Sequence, residues 1–170
     1  MGLVLETDGE IAHIQQLFDR TLRTANPHMA SIVTPNRRLT AAQVVTYLQG
    51  TKHVVLATVD VDEPRASPMD SLFINGRFTM STGRRATKMR HLRANPACSA
   101  VHMDGDRVAV VANGRVEWIE PGHPDHDDIH RAWTDQYGSD PYTWGDVIFF
   151  RLMPITMWAY AFDPSAFPAA

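Results

Sequence analysis

The sequence is poor in cysteine: Cys98 is the only one in 170 residues. An intrachain disulfide is thereby excluded, and such sparing use of thiols fits a reducing interior. Set in an apolar run, Cys98 reads as a buried structural thiol rather than a reactive one. Long hydrophobic runs are also missing, and none approaches the roughly 20 residues of a membrane span. The opening residues, MGLVLETDGE, lack the basic region and apolar core of a secretory signal. Glu6 stands where a myristoylation signal needs Ser or Thr. Positive charge is not in excess: the formal net charge is -3 and the pI about 6.2, which speaks against a general nucleic-acid binder. The expectation is a cytoplasmic chain with neither a membrane nor a nucleic-acid partner.

Several chemical signatures are absent too. Without GxGxxG or GxxxxGK[ST], the Rossmann and P-loop routes to a nucleotide have no support. No GxSxG elbow offers a serine nucleophile, and no HExxH offers a zinc site. His126 and His130 are spaced to share a helix face, with His123 nearby. Asp125, Asp127 and Asp128 interleave with them, and the group reads as a polar helix face rather than a metal site. The eight methionines and four tryptophans read by default as core.

What is present is a block of cations. Of the sixteen Lys and Arg residues, Arg84, Arg85, Lys88, Arg90 and Arg93 fall in one short stretch that contains no carboxylate. They sit in a turn and the start of a helix, where free backbone N–H groups and the helix dipole favour an anion. Ser81 and Thr82 precede the turn and offer hydroxyl donors. The arrangement suits a phosphate. The same cations also read as a solvated helix face, and composition alone does not choose between the two.

A hydrophobic content of 44% supplies one buried core, and a charged fraction of 21% argues against global disorder, so residues 1–170 are expected to form one domain. Helical periodicity covers roughly 10–25, stopped by Asn26-Pro27, and a polar connector runs to Leu39. Thr40 and Gln43 form a capping box for a second helix, which completes a helical segment over 1–50. The period then changes to two. Strands are expected at 53–59, 65–74 and 77–81, the last two joined by a type I′ turn at Asn75-Gly76. After a helix over 86–94, strands at 98–103, 107–112 and 115–119 follow. Asn113-Gly114 reads as a tight turn or, preferably, a glycine bulge within one long strand. These strands give a core over 51–120. A helix begins at Pro124 and ends near Gly138 within the segment 121–145, and two closing strands, 147–153 and 156–162, occupy 146–162. The fold class is mainly β (α+β): a small barrel of about six to seven antiparallel strands with peripheral helices. Phe149, Phe150, Trp158 and Tyr160 of the closing segment offer apolar material for an interface.

The run VVLATVDVDEPRASPMDSLFINGRFTMSTGRRATKMRHLRANPACSAVHMD resembles the flavin-binding split barrels related to pyridoxamine 5'-phosphate oxidase. The order is shared: an LATV-like strand, an acidic turn ending in Pro, a strand and hairpin, then Ser/Thr, a basic turn, Lys-x-Arg-x-Leu and an Asn-Pro stop. Glu63 stands where that family often has Gly, and its Ser-Arg-Lys triplet falls on Ala86-Thr87-Lys88, where only the lysine is kept. The resemblance implies an oxidoreductase that uses FMN or the deazaflavin coenzyme F-420 on a small planar or conjugated substrate. It implies a homodimer with cofactor at the interface. Ser81, Thr82, Arg84, Arg85 and Lys88 would hold the phosphate, and Arg65, Ser67, Pro68, Met69 and Asp70 would flank the ring. It assigns no catalytic side chain. The alternative is a binding or storage protein for flavin, deazaflavin or haem, with His53, His91 or His102 as a haem ligand.

Overall fold

A computed structural model describes residues 6–170. Helix α1 (Asp8–Arg23) begins at a capping box in which the Thr7 hydroxyl accepts from Glu10 N–H and the Glu10 carboxylate accepts from Thr7 N–H. Its buried face is Ile14, Leu17, Phe18 and Thr21. The Asn26-Pro27 pair that ends this helix also starts the next one. Asn26 Oδ1 accepts from Met29 N–H at 2.8 Å, and Pro27 takes the first position of α2 (Pro27–Ile32). The expected polar connector therefore contains a helical turn and a half. Helix α3 (Ala41–Tyr47) carries the expected capping box of Thr40 and Gln43.

Six antiparallel strands follow: β1 (Lys52–Asp60), β2 (Glu63–Ile74), β3 (Arg77–Gly83), β4 (Ala97–Asp104), β5 (Val108–Ile119) and β6 (Val147–Ala161). They form a closed barrel in the order β1-β2-β3-β6-β5-β4, sealed by pairing of Val55, Leu56 and Ala57 with Val101, Ala100 and Ser99. The β2–β3 turn has positive φ at both Asn75 (51°) and Gly76 (74°), as a type I′ turn requires. Alternate residues fill the interior, among them Val54, Leu56, Met69, Phe78, Met80 and Val110.

The two expected closing strands are one. Strand β6 pairs with β5 along its length, with a register shift at which Asn113 faces Thr156 but Gly114 faces Pro154. Ile155 is the unpaired residue, 60% exposed. The irregularity lies where the Asn113-Gly114 pair suggested, but the extra residue belongs to the opposite strand. Its effect is on parity. Ile148, Phe150 and Leu152 point inward before the shift, and Met157, Ala159 and Ala161 after it. A regular strand would have turned one of these sets to the outside.

Helix α4 (Thr87–Ala94) packs on β1 and contributes Met89 and Leu92 to the main core. Helix α5 (His126–Tyr137) starts two residues after Pro124 and ends at Gly138, whose φ is 67°. It buries Ile129 and Trp133 on the outside of the barrel against Leu72, Ile74, Ile119 and Phe149. Phe149 and Phe150 are thus inside the chain, at 0% and 1% exposure, and offer nothing to an interface; Trp158 and Tyr160 are half-buried. Among the described residues no helix is long and apolar enough to cross a membrane.

Gly114 permits the close pairing at the bulge, because a Cβ there would lie 1.9 Å from the Met153 carbonyl oxygen. Gly114→Ala is expected to destabilise the protein by about 1–3 kcal/mol, the usual cost of overpacking. The check is the urea midpoint, which should fall without a change in slope.

Candidate functional site

The expected ring-flanking residues occupy one strand, so pleating divides them. Arg65, Ser67 and Met69 share the inward face of β2, and Pro68 and Asp70 the outward one. Met69 is buried in the barrel core. Asp70 is half-exposed and takes part in a polar chain with β1 and α5. His53 Nδ1–H donates to Asp70 Oδ1 at 2.8 Å, and the Tyr137 hydroxyl donates to Asp70 Oδ2 at 2.9 Å.

The basic segment also divides. Arg84 is held by two carboxylates, Glu120 at 3.1 Å and Asp146 at 3.2 Å, which fixes the turn between β3 and α4. Arg90 reaches Asp60 at 3.5 Å. Among the described residues, Arg85 and Lys88 have no ion-pair partner within 4.0 Å. Ser81 and Thr82 lie in β3, paired with Phe149 and Ile148 of β6.

Three of the sequence-predicted residues come together. Arg65 and Ser67 from β2 and Lys88 from α4 line a cavity of about 400 Å³ with Asp60, Ala66, Thr87 and His91. The turn end of the β1–β2 hairpin forms one wall and the first turns of α4 the other. Ala86 at the helix N-cap has no side-chain acceptor. The first N–H groups of α4 are therefore left without a capping side chain, next to the cavity that Thr87 and Lys88 line. His91, one helical turn after Lys88, is only 4% exposed. Its Nδ1 lies 3.1 Å from Thr58 Oγ1, while Nε2 has no hydrogen-bond partner. Asp60 Oδ2 lies 3.4 Å from that Nε2, 3.5 Å from Arg90 and 3.9 Å from Arg65. Arg65 also meets Glu63 at 2.5 Å.

A cavity with two cations, two hydroxyls, uncapped helix N–H groups and a buried ring nitrogen can bind a small oxyanion. These residues fit a phosphate group. Asp60 and Thr87 were not among the expected site residues, and His91 was expected only as a haem ligand. Alternation places Thr58 and Asp60 on the inward face with Leu56, and an i, i+3 step places His91 beside Lys88 on α4. Those two periodicities were the available signals.

The other histidines have different roles. His102 Nδ1–H donates to the His53 carbonyl at 2.8 Å, and the Tyr47 hydroxyl donates to Nε2 at 2.9 Å. Both ring nitrogens are thus occupied, which leaves none for haem iron. Burial, as the main cause, holds the His102 pKa below its ordinary value of 6.5. His126 joins Asp127 and Tyr142, and His130 joins Asp140 at 2.7 Å. Among the described residues no group of three or more His, Cys, Asp or Glu is arranged to hold a metal ion. Burial pushes the Cys98 thiol up to about 11, consistent with a structural role.

Residues 40–157 match a family model described as pyridoxamine 5'-phosphate oxidase. No curated protein matches the chain. Among solved structures, the fold is similar to a conserved hypothetical protein from Mycobacterium tuberculosis, with a TM-score of 0.65 at 18% identity over 81% of this chain and 94% of that one. It is similar to a haem storage protein from Vibrio cholerae, with a TM-score of 0.59 at 18% identity over 66% and 88% of the two chains. It is also similar to an F-420 reductase, with a TM-score of 0.52 at 22% identity over 65% and 91%. At these identities the likeness shows a common fold.

The buried, neutral His102 makes a test of its own. Its folded pKa lies below the unfolded value, so the unfolded chain binds the extra proton first. This contribution to stability is complete above about pH 6.5 and is lost as pH falls through the folded pKa. Urea midpoints at pH 7.5 and 5.5 should therefore differ less for His102→Gln than for wild type.

Proposed function

This chain belongs to the pyridoxamine 5'-phosphate oxidase family, and on that premise we propose that it is an oxidoreductase using FMN or coenzyme F-420. The substrate is a small planar or conjugated molecule. The observation that carries the reading is the convergence of Lys88, Arg65 and Ser67 on one cavity between the β1–β2 turn and the start of α4. In this reading the Lys88 ammonium and the uncapped N–H groups of α4 take the phosphate, Arg65 adds a second charge, and the Ser67 and Thr87 hydroxyls complete the set. Arg84 supports the site by holding the turn through Glu120 and Asp146. The bound tricyclic ring supplies the hydride chemistry. The protein's task is to anchor it at one end, orient it and exclude water. That division of labour needs no side-chain nucleophile.

The partner in this reading is a second copy of the chain. No helix of α1–α5 belongs to the groove on the outer face of β1, β2, β4, β5 and β6, which has a volume of about 390 Å³ and includes Ala57, Val59, Pro64 and Ile155. Val55, 48% exposed, and Ile155, 60% exposed, are apolar residues on that side of the barrel. A homodimer that covers this groove places the cofactor between two barrels.

Two measurements test the reading. Lys88→Ala removes a charge-assisted hydrogen bond worth about 1.5–3 kcal/mol, so FMN or F-420 affinity should fall about 10- to 150-fold, with riboflavin binding unchanged. Unchanged FMN and F-420 binding would show a solvated face instead, and a Soret band on haem titration with no flavin uptake would favour the storage alternative. Sedimentation at micromolar concentration should give twice the chain mass of 19.0 kDa. A monomer at that concentration contradicts the interface.

A further inference from the structure

Every polar group of the cavity has an evident use in holding a phosphate except Asp60, a carboxylate, and His91, whose Nε2 is buried and unpartnered. An anion in an anion site is costly unless it does something there, and so is a buried ring nitrogen without a partner. We infer that the two act as a pair: His91 Nε2–H is a further ligand of the phosphate, and Asp60 is an internal counter-anion that occupies the donors while the phosphate is away. The inference rests on the phosphate reading of the cavity.

The positions of the donors support it. His91 Nε2, Arg90 and Arg65 all lie around the single oxygen Oδ2 of Asp60, at 3.4, 3.5 and 3.9 Å. Each separation exceeds the 2.7–2.9 Å of a good charged hydrogen bond, so the carboxylate gathers the donors without saturating them. His91 is fixed by burial and by Thr58 at its Nδ1. It cannot turn its other nitrogen to solvent, and Nε2, itself without exposed surface, is left facing Asp60 Oδ2. Arg65 is shared with Glu63 on the same hairpin, and Arg90 is exposed on the outer side of α4. On the α4 side the donors are those of His91 and Lys88, and a phosphate oxygen beside them replaces Asp60 as the acceptor for His91. Two anions cannot share those donors without repulsion, so Asp60 sets a threshold that only a well-charged ligand passes. Inorganic phosphate and a phosphate monoester meet it, whereas a neutral flavin does not.

The test uses the intact protein, with inorganic phosphate and FMN as probes and riboflavin as the uncharged control. Labelled with ¹⁵N-histidine, the wild-type protein should show a shift of the His91 Nε2 resonance when either phosphate probe is added and none with riboflavin. This readout needs no variant of a buried residue to fold. His91→Phe should weaken FMN binding about 10-fold, and His91→Gln, which restores an N–H donor, should recover most of the loss. Asp60→Asn keeps an acceptor oxygen but removes the charge, and should tighten FMN about 5-fold with riboflavin unchanged. A silent Nε2 resonance, or Asp60→Asn weakening FMN, overturns the inference. If those results come with a loss of affinity in Lys88→Ala, the phosphate cavity stands and only the roles of His91 and Asp60 fall. If Lys88→Ala also binds FMN as wild type does, both fall together.

Discussion

The barrel closes only because one strand serves two neighbours with a residue to spare. Strand β6 pairs with β3 at its start and with β5 along its whole length. A closed sheet has no edge at which a register error can be absorbed. Ile155 absorbs it in the interior of the strand, bulging outward opposite Gly114. The residues before it and after it can then both face inward although their numbers change parity. The outer face depends on the same accommodation. Phe149 packs under α5, and Arg151, 5% exposed, meets Glu117 at 2.5 Å and Asp125 at 2.7 Å. Breaking one side of that buried pairing would leave an uncompensated charge.

With the wall fixed in this way, charge in the basic segment is apportioned by position. Arg84 is spent on the turn and Arg90 leans on Asp60, while Lys88 is left beside the start of α4. What had the look of one strongly positive stretch is therefore five cations in different settings, of which Lys88 lines the cavity. The cavity lies where Thr87, Lys88 and His91 of α4 meet Asp60 of β1 and Arg65, Ala66 and Ser67 of β2. Its polarity is mixed: Asp60 stands among Arg65, Lys88 and His91.

Much of the fold was legible from local chemistry. The capping box at Thr40, the Asn75-Gly76 turn and the end of α5 at Gly138 are all short-range hydrogen-bonding or φ constraints that act in any context. Where local signals misled, the cause was an ambiguous word. Asn26-Pro27 ends one helix, but the same residues are a good N-cap and first position for another. The closing segment reads as two strands, 147–153 and 156–162, but a bulge at Pro154-Ile155 carries the ladder through as one.

The candidate site shows the division most clearly. By itself the sequence determined that a block of cations follows a strand and opens a helix, that its order and spacing resemble a flavin-binding split barrel, and that Lys88 is the position where both arguments agree. It also carried the period-two pattern that puts Thr58 and Asp60 on the inward face. Only the tertiary structure decided which residues meet. Residues 65–70 are contiguous, yet only Arg65, Ala66 and Ser67, nearest the hairpin turn, line the cavity, while Met69 is in the core and Pro68 and Asp70 lie on the outward face. Asp60 and His91 are 31 positions apart along the chain, and they come within 3.4 Å because α4 packs across the end of β1. Strand pairing and helix docking are long-range events, driven by burial of Met89 and Leu92 in the core. No spacing along the chain encodes them.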